Sequence, residues 1–245
     1  KNKFKMFDKK YNLENDGAAM SYSMGKAFCE LSKILKKNKP NLILSGFDIA
    51  ANFAVTVCEA HMNIPVAHIQ GGEVSGTIDE SLRHGMSKFS NFHFTANFET
   101  KKRLVKMGEI PQNIFPVGCP SIDALVTEKI VSKKKIQKKF KIDISKPYTI
   151  TIQHPVTSEL NQTEKQMVET INALRNIEMQ HLIVFPNNDA GSNKILNIIK
   201  KSNLNFTPTL NLSEYKTLLK FCKILIGNSS SGVHEASTYK IPVVN

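Results

Sequence analysis

NLILSGFDIAANFAVTVCEAHMNIPVAHIQGGEVSGTIDESLRHGMSKFSNFHFTA, residues 41–96, is the stretch that decides the fold. Three short apolar runs read as strands: NLILS at 41–45, PVAHI at 65–69 and FHFTA at 92–96. Between them, residues 50–62 and 79–89 carry apolar side chains at helical spacing. Strands joined by crossovers of that length run parallel, because a parallel pair needs a long connection and a helix supplies it. The pattern continues outward. A helix is expected at 98–107 and a strand at 114–117. Beyond residue 147 come strands at 148–152, 182–185, 224–226 and 243–244, with helices at 159–178, 193–201 and 213–221. The chain is α/β, built from βαβ units.

One stretch breaks the rhythm. VSKKKIQKKFKIDISK, residues 131–146, is lysine-rich and weakly apolar, and it reads as a surface helix plus linker. Two Rossmann-like lobes then follow, at 1–130 and 147–245, with their strand carboxyl ends expected to point into a shared cleft. The first residues are charged and strandless. The closing IPVVN is a strand with no helix to cover it. Both ends therefore read as truncated, as in the core of a longer protein.

Composition narrows the function. The 245 residues hold 33 Lys and Arg against 21 Asp and Glu, a formal charge of +12. Only Arg83, Arg103 and Arg175 are arginine. Nucleic-acid readers favour the planar arginine fork, whereas scattered lysines form solvated helix faces, so nucleic acid is not an expected partner. The excess charge suits a small anionic substrate such as a nucleotide sugar. No run of 18 apolar residues is present and KNKFKMFDKK is no secretory leader, so neither a membrane span nor export is expected. Cys29, Cys58, Cys119 and Cys222 are too scattered for a finger or a disulfide scaffold, and fit a reducing cytoplasm.

Three constellations carry chemistry. The first, QGGEVSGTIDESLRH at 70–84, starts where strand PVAHI ends, at the ligand edge of a doubly wound sheet. His68, Glu73, Asp79, Glu80 and His84 crowd there, and such acids and imidazoles suit proton transfer. Asp79 also reads as the cap of the following helix. The second is QHPVT at 153–157, in which His154 follows strand YTITI as an acid, a base or a donor to a diphosphate. The third is GNSSSGVHE at 227–235. Ser229, Ser230, Ser231 and Gly232 lead into a helix expected near Val233, a ready phosphate site, and Glu235 can accept from ribose hydroxyls. FPNNDAGS at 185–192 is a similar turn that brings Asn187 to the nucleotide site. Asp48, in GFD after the 41–45 strand, adds a carboxylate at a strand end. His61, His93 and His181 sit inside element patterns and read as packing or surface residues. No HxH or HExxH pair marks a metal.

In this order the runs HIQGGEVSGTIDESLRHGMSKFSNFHF, GCPSIDAL, QHPVT, FPNNDAGS and GNSSSGVHEA resemble the hydrolysing UDP-N-acetylglucosamine 2-epimerases, in the branch that feeds sialic and legionaminic acid synthesis. The resemblance covers about residues 42–245. It implies a GT-B fold, a nucleotide-sugar substrate, no metal or redox cofactor and a homodimer. It also implies loss of the C2 proton with elimination of UDP, then hydration of the glycal to free N-acetylmannosamine. By motif, Asp48, Asp79 and His154 match catalytic positions, and Ser229, Ser230 and Glu235 match nucleotide-binding ones. Gln70 stands where several members have a catalytic glutamate, and Gln transfers no proton, so Glu73 or Asp79 takes that task, or Gln70 orients substrate, or activity is reduced. Ile49 and His234 stand where the resemblance leads one to expect Arg. Two alternatives remain open: a GT-B glycosyltransferase, and a non-catalytic nucleotide-sugar-binding fragment.

Overall fold

The computed structural model describes residues 16–46 and 50–245. Asp48 therefore lies outside the described residues. The chain divides into two compact units whose main bodies are Ala18–Cys119 and Pro120–Asn245. Both are α/β with parallel sheets, as expected.

The first unit opens with helix α1 (Gly17–Asn38), followed by β1 (Ile43–Gly46), α2 (Ala50–His61), β2 (Val66–Ile69), α3 (Ile78–Phe89), β3 (Phe92–Thr95), α4 (Phe98–Lys106) and β4 (Ile114–Pro116). The strands lie in order β1-β2-β3-β4, every pair parallel. Ala54, Val66, Ala67, Met86, Leu104 and Ile114 are buried in it. Nothing in the charged opening residues pointed to α1. Its buried residues are Ala19, Ala27 and Leu35, so two of three are alanine and the apolar stripe is faint. Phe28 of α1 meets Phe53 of α2 edge to face, with ring centres 6.5 Å apart.

The second unit holds α5 (Pro120–Thr127), α6 (Lys133–Phe140), β5 (Tyr148–Ile152), α7 (Thr163–Arg175), β6 (Gln180–Val184), α8 (Ser192–Lys201), β7 (Phe206–Thr207), α9 (Leu212–Phe221), β8 (Ile224–Ile226), α10 (Glu235–Thr238) and β9 (Val243–Val244). Its strand order is β7-β6-β5-β8-β9, again all parallel. Counted from β5 this is 3-2-1-4-5, the doubly wound order, with its reversal between β5 and β8. All five residues of β5 are buried, as a strand covered on both faces must be. Alternation along the strands feeds two cores. Tyr148, Ile150, Ile152 and Leu182 join one, while Ile183 joins Met167, Ile171, Leu174, Ile195 and Ile199 in the other.

The 131–146 stretch differs from the linker expected. Ile136 and Phe140 lie one helical turn apart on α6, Ile142 and Ile144 follow, and all four are buried in the core with β5. The lysines cover the opposite face and mask this pattern in the sequence. Along the chain, the division between the two units accordingly falls between Cys119 and Pro120, ahead of the expected boundary.

Candidate active site

At the reversal point of the second sheet, the chain ends of β5 and β8 are tied together. The Asn228 side chain accepts from the His154 backbone N–H at 2.7 Å through Oδ1, and its Nδ2 donates to the His154 carbonyl at 3.0 Å. The Asn187 backbone N–H donates to His154 Nδ1 at 3.1 Å. Three turns after three different strands thus converge on one residue, His154, in the crevice where a doubly wound sheet binds ligands. Gly227 makes the approach possible. Its φ is +116°, and a Cβ there would lie 2.2 Å from the Ile152 carbonyl oxygen. Beside the cluster is a cavity of about 390 Å³ lined by His154, Phe185, Asn187, Thr209, Leu212 and Tyr215.

The serine turn differs in detail from the helix expected. Ser230–Gly232 is a single 3-10 turn, capped by Ser229 Oγ accepting from the Ser231 N–H at 3.3 Å. The α-helix begins only at Glu235. Ser231 is buried, and its hydroxyl is engaged by the Tyr215 hydroxyl. Burial, with the Glu235 charge adding to it, pushes the Tyr215 phenol up. Glu235 Oε2 and Gln153 Oε1 are buried without a hydrogen-bond partner, so both keep unused accepting capacity beside this turn.

In the first unit, Gln70 follows β2 directly. It is buried with φ of +61°, a left-handed conformation rare for a side chain of this size. Gln70 Nε2 donates to Cys119 Sγ at 2.9 Å. The loop beyond it is held by side chains from two helices. Arg83 Nη1 donates to the Glu73 carbonyl at 2.8 Å, and Arg103 Nη1 donates to the Gly72 carbonyl. Glu80 accepts from the Ser75 and Gly76 N–H groups at 2.7 and 2.8 Å. These bonds, Gly76 first and Ser75 second, hold its carboxyl below the usual range. Gly72, at φ of +84°, rests on α4, where a Cβ would meet the Thr100 carbonyl at 2.7 Å.

Asp79 does not cap α3, whose N-cap is Thr77. It sits exposed in the first turn and accepts from Thr77 Oγ1 at 3.3 Å. Glu73 is half-buried on the clamped loop. The sequence named Arg83 and Asn228 only as members of their motifs and gave Arg103 no part. The available signal was the scarcity of arginine: two of the chain's three hold successive carbonyls of one loop.

The remaining histidines of the first sheet are buried. His68 on β2 and His93 on β3 are register partners. His68 Nδ1 bonds Ser87 Oγ at 3.1 Å, and burial, reinforced by His93, lowers its pKa to about 3. Burial also lowers His93, against the raising effect of Glu109 at 3.3 Å. Glu59 is fully buried, neither carboxyl oxygen has a partner, and its pKa rises to about 8. Among the described residues, no three His, Cys, Asp or Glu side chains group as metal ligands. No helix among them is long and apolar enough to cross a membrane.

The family model for UDP-N-acetylglucosamine 2-epimerase matches residues 1–245. The chain belongs to this family. Among the relatives, a Legionella pneumophila UDP-N,N'-diacetylbacillosamine 2-epimerase (hydrolyzing) is 31% identical over 232 residues, covering 93% of this chain and 62% of the relative. A Neisseria meningitidis UDP-N-acetylglucosamine 2-epimerase is 30% identical over 238 residues, covering 96% and 63%. The chain thus spans a little over three fifths of these family members. Among solved structures, the Neisseria meningitidis enzyme bound to UDP-GlcNAc aligns with a TM-score of 0.76 at 19% identity, over 90% of this chain and 63% of that one. The Methanocaldococcus jannaschii enzyme in complex with UDP-GlcNAc and UDP aligns with a TM-score of 0.72 at 18% identity, over 90% and 64%. At these identities the structures establish the shared fold of the family.

Proposed function

We propose that this family member is a hydrolysing nucleotide-sugar 2-epimerase acting on UDP-N-acetylglucosamine or a diacetamido analogue. The C2 proton is removed and the C1–O bond to UDP breaks, with its electron pair leaving on the diphosphate and a C1=C2 bond forming. Water then adds hydroxide to C1 and a proton to the opposite face of C2, releasing the free manno sugar. The observation that carries this reading is the convergence of QHPVT, FPNNDAGS and GNSSSG on His154 at the sheet's reversal point.

The Ser229–Gly232 turn and Asn187 hold the nucleotide, with Ser231 braced by Tyr215. Glu235, with one carboxyl oxygen unpartnered, accepts from ribose hydroxyls. Asp48, Glu73 and Asp79 handle the protons. Gln70, spent on Cys119 and unable to ionise, shapes the floor of the loop. The chemistry asks for no metal or redox cofactor. The sialic or legionaminic branch and a homodimer belong to the same reading.

Product analysis tests it. Incubation with UDP-N-acetylglucosamine, and in parallel with the diacetamido nucleotide, is expected to release UDP and a free 2-epimerised sugar from one of them. Transfer to an acceptor alcohol in place of release identifies a glycosyltransferase. Binding of UDP with no turnover of either nucleotide identifies a binding module.

A further inference from the structure

Helix α9 is bonded outward along the whole run 213–218. Ser213 Oγ donates to Glu128 Oε1 at 2.8 Å, and Glu214 Oε1 accepts from Lys139 Nζ of α6 at 2.5 Å. The Thr217 hydroxyl accepts from the Val131 N–H at 2.8 Å, and the Leu218 carbonyl from the Tyr148 hydroxyl of β5 at 2.5 Å. Lys216 stands among these, only 8% exposed, and donates to the Val126 and Glu128 carbonyls at 2.6 Å each. Those carbonyls lie at the end of α5, where a helix carries its partial negative charge. Burying an ammonium is costly unless its hydrogens are taken up, and an apolar side chain serves packing better. A buried lysine given to two carbonyls instead fixes the helix in direction as well as in place.

Tyr215, the preceding residue, connects α9 to the serine turn. Its hydroxyl engages Ser231, and its ring lines the cavity beside that turn. Ser231 is buried, with its hydroxyl on α9 and its N–H on Ser229 Oγ at 3.3 Å. Ser230 is exposed and Ser229 half-buried. Ser231 therefore sets the turn, and its neighbours are left to meet a ligand.

We infer that Tyr215 and Lys216 are positioning residues of the nucleotide site: the Tyr215 hydroxyl holds the serine turn through Ser231, and the Lys216 ammonium, seated on the end of α5, fixes the helix that carries Tyr215. This rests on the reading of Ser229–Gly232 as the nucleotide's anchor. A turn held in place before binding spares the ligand the cost of ordering it.

Calorimetric titration of the whole chain with UDP tests the inference. Tyr215→Phe keeps the ring and removes only the hydroxyl. It should melt within about 4 °C of wild type and bind UDP about tenfold more weakly. Lys216→Met keeps most of the side chain and removes the charge. It should melt lower and also weaken UDP binding about tenfold. Because Lys216 acts through Tyr215, the two losses should not multiply, and the double variant should bind about as weakly as either single one. With a nucleotide sugar that turns over, KM should rise in both variants while kcat changes little. Binding of UDP to Tyr215→Phe as tight as to wild type, or losses that multiply in the double variant, overturns the inference. If wild type binds no UDP, the nucleotide reading fails by itself. Hydrogen exchange at the Ser231 amide then decides whether the two residues hold the turn: about tenfold faster exchange is expected in both variants, and an unchanged rate overturns it.

Discussion

The two candidate regions are held in contrasting ways. In the first unit, the 71–76 loop is gripped from outside by charged side chains, two arginines on carbonyls and one glutamate on N–H groups. In the second, the strand ends meet through neutral amides and the closest backbone approach glycine permits. Charge-assisted bonds are strong but respond to pH and salt, whereas the neutral amide bonds of Asn228 to the backbone of residue 154 do not. The contrast extends to the interior. The first unit buries His68, shifted to about 3, and Glu59, shifted to about 8. In the second, burial pushes the Tyr148 and Tyr215 phenols up and the Cys222 thiol to about 12, so all three stay neutral at ordinary pH.

The largest break comes from Gly227→Ala. A methyl 2.2 Å from the Ile152 carbonyl, at a φ of +116°, forces β5 and β8 apart. A loss of more than about 3 kcal/mol is expected from denaturant melts. Gly72→Ala, with 2.7 Å to the Thr100 carbonyl, should cost less, about 1–3 kcal/mol.

Next come the arginines. Arg83 is 9% exposed, and Arg83→Met leaves the Glu73 carbonyl without its donor, for an expected cost of about 1.5–3 kcal/mol. Arg103→Met should cost less stability yet still lower kcat, because the loop bearing Glu73 loses its anchor to α4. Steady-state kinetics beside a melt separates the two effects.

The pH response sharpens the comparison further. Above pH 4.5 the unfolded chain ionises Glu59 while the folded protein keeps it protonated to about 8, so this group erodes stability as pH rises between those values. Glu59→Gln should match wild type near pH 4.5 and exceed it by on the order of 2 kcal/mol at pH 8. His68 acts at the other limb. From pH 6.5 down to about 3 the unfolded chain binds a proton that the folded protein refuses, so stability falls as pH falls. His68→Gln should flatten that acid slope, read from melts across the window.

The alternation of strands and helices was legible in the sequence because period-2 and period-3.6 patterns survive in it. Strands 148–152, 224–226 and 243–244 stand where the pattern put them. What it hid has physical causes. Alanines on the buried stripe of α1 dimmed that helix, and lysines around Ile136 and Phe140 made a core element look like a linker. The QHPVT and GNSSSG turns could be found from small and polar residues at strand ends. Their joining through Asn228 could not, since 74 residues separate the partners and only the strand order makes them neighbours. Asp79 misled as a cap because Asp, Ser and Thr at helix starts are interchangeable by type, and the cap stands two residues earlier, at Thr77.

The most direct test of the central claim, that this family member eliminates and rehydrates a nucleotide sugar, is proton NMR of the reaction run in D2O. The expected result is free UDP together with an equal amount of free manno-configured sugar carrying deuterium at C2. Release of a gluco-configured sugar, or of a manno sugar that keeps its original C2 proton, would contradict the claim.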